Sequence, residues 1–143
     1  MLSKKGFRGY CTHNSFGEYR IPVSAQNILY RDYAKKNELY FKLSVNELFF
    51  QECFLHLFTL LDELEGLEGV LMCSIFMLPE DSKLRQKVYD RFLSEDCELH
   101  FVLENFILKN INNVEELEQV FQIRKMIGNC TLINQFPKDS YEN

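Results

Sequence analysis

The segment of residues 70–78 (VLMCSIFML) constrains the fold more than any other part of the chain. Ser74 is its one polar member, so the segment lacks the polar–apolar alternation of a strand with one solvated face, and Pro79 follows it. A strand that is apolar on both sides has both faces covered, which is typical of the centre of a parallel sheet. We therefore predict a central strand at residues 69–78 with helices packed against both of its faces.

Shorter apolar runs predict three further strands, at residues 6–11, 39–43 and 98–103. A stretch with helical periodicity follows each of the four strands. Capping residues mark where these helices begin. The predicted starts are after Pro22, at residue 49 or 50, at Asp81 or Ser82, and at Asn113, with Glu116 as its capping-box partner.

The apolar faces of the first two helices predict where they pack. The first helix ends at Asn37, and four-residue spacing gives it a buried stripe. The second helix, predicted to end near Leu64, carries many aromatic side chains, which predict either core packing or an interface with a second copy or a partner. The stripe is Ala25, Ile28, Leu29 and Tyr33, and the aromatics are Phe49, Phe50, Phe54 and Phe58.

Alternation of strands and helices predicts an α/β fold. We expect a three-layer, open, mainly parallel sheet of four or five strands in the order 2-1-3-4, with helices on both faces. The 143 residues suffice for a single domain, with an ordered core at about 6–127. The tail at 128–143 is expected either to add a short edge strand or to be disordered.

Composition excludes several classes of function. The 16 basic and 21 acidic side chains give a net charge of −5, which disfavours general nucleic-acid binding. The 5 cysteines form no CxxC pair, which argues against a zinc site and favours a reducing compartment. We expect no signal peptide, because no apolar stretch follows Lys4 and Lys5, and no apolar run reaches membrane-spanning length. We therefore expect a cytoplasmic protein without metal, cofactor or membrane span.

Polar residues gather where the predicted strands end. In an open parallel sheet, ligands bind beyond the carboxyl ends of the strands, at the point where the strand order reverses. Here that point lies between the first and third strands. The residues expected to converge there are His13, Arg20, Gln26, Asn27, Ser44, Glu47, Ser74 and Glu104.

Residue chemistry suggests roles at this edge. Arg20, beside the start of the first helix, would bind an anion; its alternative is a surface ion pair with Glu18 or Asp32. Proton transfer would fall to His13, Glu47 or Glu104, with an ordinary loop histidine as the alternative for His13. Gln26, Asn27 and Ser44 would bond hydroxyl groups of a substrate. Arg8 lies within the first predicted strand, where its charge needs a partner. We expect it either to pair with a carboxylate such as Glu47 or Glu104 or to lie on the edge of the sheet.

An ordered series of short motifs resembles the sporadic carbohydrate cluster proteins, a small bacterial family. The motifs include RGY at residues 8–10, RIPxxxQN at 20–27, SxxE at 44–47, SIFMLP at 74–79 and ELHFxxE at 98–104. The resemblance spans about residues 6–127. It implies a place in the biosynthesis of surface polysaccharide, lipopolysaccharide or unusual sugars, and it adds Arg8 and Tyr10 to the predicted substrate-binding residues.

A second likeness is to the catalytic domain of serine recombinases. Gly9-Tyr10 and the VSAQN segment at residues 23–27 are similar to that domain, and the likeness implies Ser24 as a nucleophile. The chain departs from the pattern in its nine-residue loop before Arg20 and in its acidic charge.

The sequence therefore favours a protein that binds a phosphorylated or nucleotide-activated sugar, as a small enzyme or otherwise, with no cofactor. One alternative is a non-catalytic partner or regulator of a sugar-modifying enzyme. A further alternative is a strand-transfer domain related to the serine recombinases.

Overall fold

The structure, a computed structural model, describes residues 5–128. Within that range five strands form one sheet, and its strand order places β1 and β3 side by side at the centre. The predicted order 2-1-3-4 is confirmed, with β5 added as an antiparallel edge strand next to β4. The strands are β1 (Phe7–Cys11), β2 (Val45–Asn46), β3 (Gly69–Met72), β4 (Glu98–Phe101) and β5 (Phe106–Leu108).

Parallel pairing joins β2, β1, β3 and β4. Phe7 of β1 lies opposite Gly69 of β3, and Gly69 lies opposite Glu98 of β4. All four residues of β3 are buried, as the continuous apolar run predicts. The regular strand nevertheless ends at Met72, because the chain turns at Ser74 into a single 3-10 turn over Ile75–Met77.

Four helices cover the sheet within the described residues, so the α/β prediction with helices on both faces is confirmed. Alternate residues of β1 point to opposite faces. Gly9 faces Tyr30 of α1, whereas Tyr10 reaches Glu47, which lies against the start of α2. The helices are α1 (Val23–Lys36), α2 (Leu55–Leu61), α3 (Ser82–Ser94) and α4 (Ile111–Gly128).

The second strand differs from its prediction. Residues 39–43 run beside β1 but pair with it only at Phe7, whose N–H donates to Tyr40 and whose carbonyl accepts from Lys42. Regular pairing begins further along, at Val45. At the edge of a sheet one side of the strand has no partner, so an apolar run alone does not fix where the ladder forms. Leu43, predicted inside this strand, is 78% exposed.

Two helix predictions need correction. The face of α1 that packs on the sheet carries Gln26, Tyr30, Tyr33 and Ala34, so the predicted stripe is rotated and Ile28 lies in solvent. The second helix spans Leu55–Leu61, rather than starting at residue 49 or 50 and ending near Leu64. Phe54 and Phe58 pack against the core, whereas Phe49 and Phe50 are exposed in the preceding loop.

The caps of the last two helices are decided by side chains. Asp81 accepts from the N–H groups of Lys83 and Leu84, which confirms it as the cap of α3. At α4 the cap is Asn110 rather than Asn113. Each of these asparagines accepts from the backbone N–H of the other, so Asn113 is the reciprocal partner three residues into the helix. The edge strand predicted beyond residue 128 lies outside the described residues.

The close approach of β3 and β4 gives a test of this packing. A Cβ at Gly69 would overlap the backbone oxygen of Glu98 and meet the ring of Phe7 at 2.6 Å. We expect Gly69→Ala to lower the free energy of unfolding by about 3 kcal/mol or more, because the strands must separate.

Gly66→Ala is the matched control, since nothing lies within 4 Å of the added carbon. It should change stability by less than about 1 kcal/mol in urea unfolding monitored by circular dichroism. Equal midpoints for the two variants would contradict the described pairing of β3 with β4.

Candidate functional site

Most of the predicted site residues follow the carboxyl ends of the strands, but they do not line one common cavity. Tyr10 borders one cavity, and Asn27 and Ser44 border another. The predicted residues form three hydrogen-bonded groups near the carboxyl ends of the strands, and two arginines and a histidine lie apart from these groups. Each group joins segments that are far apart in sequence. In the first group Tyr10 bonds Glu47, and in the third Ser74 bonds Glu104. The second group joins the neighbouring residues Gln26, which bonds the Thr12 backbone, and Asn27, which bonds Ser44.

Glu47 is a buried carboxylate that holds the start of α2. Its Oε1 accepts from the Tyr10 hydroxyl at 2.8 Å and from the Leu57 N–H at 3.1 Å, and its Oε2 accepts from the His56 N–H at 2.9 Å. Burial, and next the neighbouring Glu47 carboxylate, raise the pKa of Tyr10, so its hydroxyl stays protonated and donates. These contacts give Glu47 a structural role; its catalytic role stays a prediction.

Gln26 fixes the loop between β1 and α1. Its amide oxygen accepts from the Thr12 N–H at 3.1 Å, and its amide nitrogen donates to the carbonyls of Thr12 and Ile21, both at 2.7 Å. The side chain is fully buried, so its hydrogen-bonding capacity is directed at the backbone rather than at a ligand. Asn27, one residue on, accepts from the Ser44 hydroxyl at 2.5 Å.

Ser74 and Glu104 join the ends of β3 and β4. The Ser74 hydroxyl donates to Glu104 at 2.9 Å, and the Ile75 N–H donates to the same carboxylate at 2.7 Å. Ser74 also accepts from the Phe76 N–H, so it caps the 3-10 turn that ends the strand. The pair thus shapes the edge where a ligand is expected, and its roles in binding and proton transfer stay predictions.

The remaining predicted residues lie elsewhere. Arg8 pairs with Glu63 at 2.8 Å and donates to the Leu43 carbonyl, because its side chain points toward the end of α2; the expected partners Glu47 and Glu104 are wrong. Arg20 is exposed and forms no ion pair with any residue from 5 to 128. His13 is also exposed, and its ring stacks on Phe49 with centroids 4.0 Å apart.

The loop before Arg20 is held by its own backbone hydrogen bonds and by packing against Phe76. Phe16 and Tyr19 exchange two backbone hydrogen bonds of 3.0 Å around Gly17, which has a φ of +61° that favours glycine. Phe16 is buried, and Gly17 lies against Phe76, since a Cβ there would meet that ring at 2.8 Å. The loop therefore packs across the turn that follows β3.

A crevice of about 370 Å³ opens where the sequence predicts it, between the ends of β1 and β3. Tyr10 is the one predicted binding residue in its lining. Its walls come from the β1–α1 loop, the segment before α2, and the turn and cap before α3. Its remaining polar side chains are Thr12, Asn14, Ser15, Glu52, Cys53, Glu80 and Asp81, and its aromatic ones are Phe16, Phe54 and Phe76.

Charge sets the character of this crevice. The lining contains the carboxylates of Glu52, Glu80 and Asp81 and no basic side chain. Asp81 is engaged in capping α3, whereas Glu52 and Glu80 accept no hydrogen bond through their carboxylates from any residue from 5 to 128. Glu52 also adopts a positive φ of 55°. Sequence patterns did not single out Glu52, because a turn glutamate looks like any solvated loop residue.

A second cavity, of about 770 Å³, shares Phe76, Glu80 and Asp81 with the crevice and extends between α3 and α4. Among its charged side chains, Arg85 and Glu118 form an ion pair. Arg124 and Lys125 form no ion pair with any residue from 5 to 128, and Arg124 stacks on Phe76. Arg85 binds Glu118 through two contacts of 2.8 Å, and burial together with the bond to Glu118 raises the pKa of Tyr89 above its usual range. This pairing holds α3 against α4.

Two buried thiols lie beneath the site. Burial raises the pKa of Cys11 to about 12 and that of Cys73 to about 11, so both are protonated at neutral pH and unsuited to nucleophilic attack. Within residues 5–128 no cluster of His, Cys, Asp or Glu has the arrangement of a metal site. The same range contains no helix with the length and hydropathy needed to cross a membrane.

Comparison with known proteins identifies the fold. The N-terminal catalytic domain of TP901-1 integrase matches with a TM-score of 0.61 and 12% identity, over 83% of this chain and 95% of that one. A resolvase family site-specific recombinase from Streptococcus pneumoniae matches with a TM-score of 0.52 and 11% identity, over 95% and 99%. No protein-family model and no curated protein matches the chain.

At these identities the likeness shows the fold alone. The fold-level likeness to serine recombinase catalytic domains is therefore confirmed. None of the comparisons supports the resemblance to the sporadic carbohydrate cluster proteins, which stays a prediction.

The role of Glu47 can be tested by Glu47→Gln. An amide nitrogen cannot accept, so the variant leaves at least one of the buried donors from Tyr10, His56 and Leu57 unpaired. We expect the free energy of unfolding to fall by about 2–4 kcal/mol, measured by urea denaturation. Glu115→Gln, at an exposed position of α4, is the matched control. A loss no larger than that of the control would contradict the capping role.

Proposed function

We propose that the crevice between β1 and β3 binds a carbohydrate, neutral or bearing an amino group, and that the protein serves surface-carbohydrate biosynthesis. One observation carries the binding proposal: the crevice combines aromatic rings with hydroxyl, amide and carboxylate groups and contains no basic side chain. Sugars present C–H faces to aromatic rings and hydroxyl donors to carboxylates. Such a lining, mostly apolar with a few convergent polar groups, is typical of small-molecule sites.

The two carboxylates without hydrogen bonds, Glu52 and Glu80, supply the acceptors. Each can take two hydroxyl or ammonium donors, whereas Asn14 and Thr12 can both donate and accept. Asn14 is oriented for this because its amide nitrogen donates to the Phe50 carbonyl at 3.0 Å. The ligand is thus held among Glu52 from the segment before α2, Glu80 from the turn before α3, and the neutral polar groups of the β1–α1 loop.

The same charges oppose a phosphate in the crevice. A phosphoryl group placed among Glu52, Glu80 and Asp81 would meet like charges and no compensating cation in the lining. The predicted anion-binding residue Arg20 does not line the crevice. Any phosphate of a phosphorylated sugar therefore lies outside it.

The link to surface carbohydrates comes from the sequence. The motifs at residues 8–10, 20–27, 44–47, 74–79 and 98–104 resemble the sporadic carbohydrate cluster proteins. Among the motif residues, Tyr10 lines the crevice, whereas Gln26 and Ser74 hold the neighbouring loops in place. The proposed ligand class agrees with that pathway.

Titration with unphosphorylated sugars tests the proposal. N-acetylglucosamine and glucosamine are expected to shift the backbone amide resonances of Thr12, Asn14 and Ser15. The double variant Glu52→Gln/Glu80→Gln should weaken glucosamine binding about tenfold, because it removes both charged acceptors. The double variant Glu115→Gln/Glu116→Gln, on the exposed face of α4, removes the same charge and should bind as the wild type.

Absence of any crevice shift with either sugar at about 50 mM would refute the binding proposal.

DNA strand transfer is a second candidate, and one structural observation favours it. Ser24 is exposed in the first turn of α1, on the fold of the recombinase catalytic domains, where a hydroxyl can reach a phosphodiester. The acidic net charge of −5 and the acidic crevice oppose DNA binding.

This candidate predicts a covalent protein–DNA adduct that Ser24→Ala abolishes. Incubation with supercoiled plasmid, followed by denaturing electrophoresis, would detect it. We expect no adduct with the wild type, as the carbohydrate proposal requires; an adduct dependent on Ser24 would establish strand transfer instead.

A further inference from the structure

A groove at the β2 edge of the sheet is separate from the crevice and has the opposite charge. It has a volume of about 500 Å³, which lies within the range of small-molecule sites. Two of the predicted substrate-binding residues, Asn27 and Ser44, come together here. The groove is lined by Asn27, Arg31, Phe41, Lys42, Leu43, Ser44 and Asn46.

Two cations face this groove without a carboxylate in its lining. Arg31 and Lys42 are exposed and form no ion pair with any carboxylate from residue 5 to 128. The acidic neighbour on α1, Asp32, pairs with Lys36 at 3.0 Å.

The adjoining depression is already neutralised. Lys42 also borders a hollow that contains Arg8 and Glu63, and both oxygens of Glu63 accept from Arg8 at 2.8 Å. Arg8 therefore neutralises the charge of Glu63, which attracts Lys42 only weakly. In a chain with more acidic than basic residues, two unpaired cations in one groove are a local concentration of positive charge.

Neutral donors surround the two cations. The Ser44 hydroxyl donates to the Asn27 amide oxygen at 2.5 Å, so the amide nitrogen of Asn27 is directed elsewhere, 3.3 Å from the Val23 carbonyl, with a second N–H to spare. Asn46 adds another side-chain amide to the lining. Guanidinium, ammonium and amide donors around an open groove are the groups that bind phosphoryl oxygens.

We propose that this groove binds the phosphoryl group of a small molecule, such as a sugar phosphate or a nucleotide-activated sugar. The inference rests on the groove itself and not on the carbohydrate crevice. A small phosphate fits better than a nucleic acid, because two cations neutralise two charges, whereas specific and non-specific DNA binding typically uses about 6–10 phosphate contacts.

Titration with inorganic phosphate and with glucose 1-phosphate tests the assignment. Both should shift the backbone amides of Asn27, Ser44 and Asn46, and glucose should not. The double variant Arg31→Gln/Lys42→Gln should weaken phosphate binding at least about tenfold. Both side chains are exposed, so the variant should keep the wild-type melting temperature.

Lys35→Gln/Lys87→Gln is the matched control, because it removes two exposed cations outside the groove. It should bind phosphate as the wild type does. Equal weakening in both double variants would show a general charge effect and overturn the site, as would absence of binding at about 50 mM phosphate. Displacement of bound phosphate by short duplex DNA would overturn the small-molecule assignment in favour of a nucleic-acid surface.

Two outcomes separate this inference from the proposed function. The Glu52→Gln/Glu80→Gln variant should keep its phosphate affinity, and Arg31→Gln/Lys42→Gln should keep its affinity for glucosamine. Loss of phosphate binding in the crevice variant would contradict the independence of the two sites.

Discussion

The Glu47 carboxylate is the contact on which the arrangement of the site depends. It lies directly after β2, is 3% exposed, and receives donors from β1 and from the first residues of α2. A buried charge of this kind is costly unless each of its oxygens is hydrogen-bonded. Here the backbone N–H groups at the start of α2 donate to the carboxylate, and the same hydrogen bonds fix the helix against β1. One wall of the crevice, which includes Cys53 and Phe54, is positioned as a result.

The opposite wall depends on a different set of polar contacts. Gln26 binds the backbone on both sides of the β1–α1 loop, and Ser74 with Glu104 turns the chain after β3 toward α3. These residue types resemble ligand-binding groups in the sequence because they are polar and follow strands. In the folded chain they hold loops in place, and the surface left open to a ligand consists of their neighbours.

How far the sequence predicts the structure depends on which forces are local. The centre of the sheet follows from the run at residues 70–78, which is apolar except for Ser74, since burial on both faces leaves few alternatives. The cap at Asp81 could also be predicted from the sequence, because a capping side chain bonds backbone groups only two or three residues away. In contrast, Arg8 pairs with Glu63, 55 residues away, and Glu47 binds groups 9, 10 and 37 residues away. Hydrophobic periodicity does not indicate such distant partners. The sequence therefore could not show that Tyr10 lines one cavity while Asn27 and Ser44 line another.

The distribution of charge argues against carrying function across with the fold. A surface that binds the phosphodiester backbone of DNA requires cations. In this chain the crevice between β1 and β3 is lined by Glu52, Glu80 and Asp81, whereas Arg31 and Lys42 line the groove at the β2 edge. The fold tolerates this distribution of charged side chains because side chains in loops and at sheet edges contribute little to the core. The crevice and the groove therefore differ in charge, and this difference is the basis for proposing a hydroxyl-rich ligand in the first and a phosphoryl group in the second.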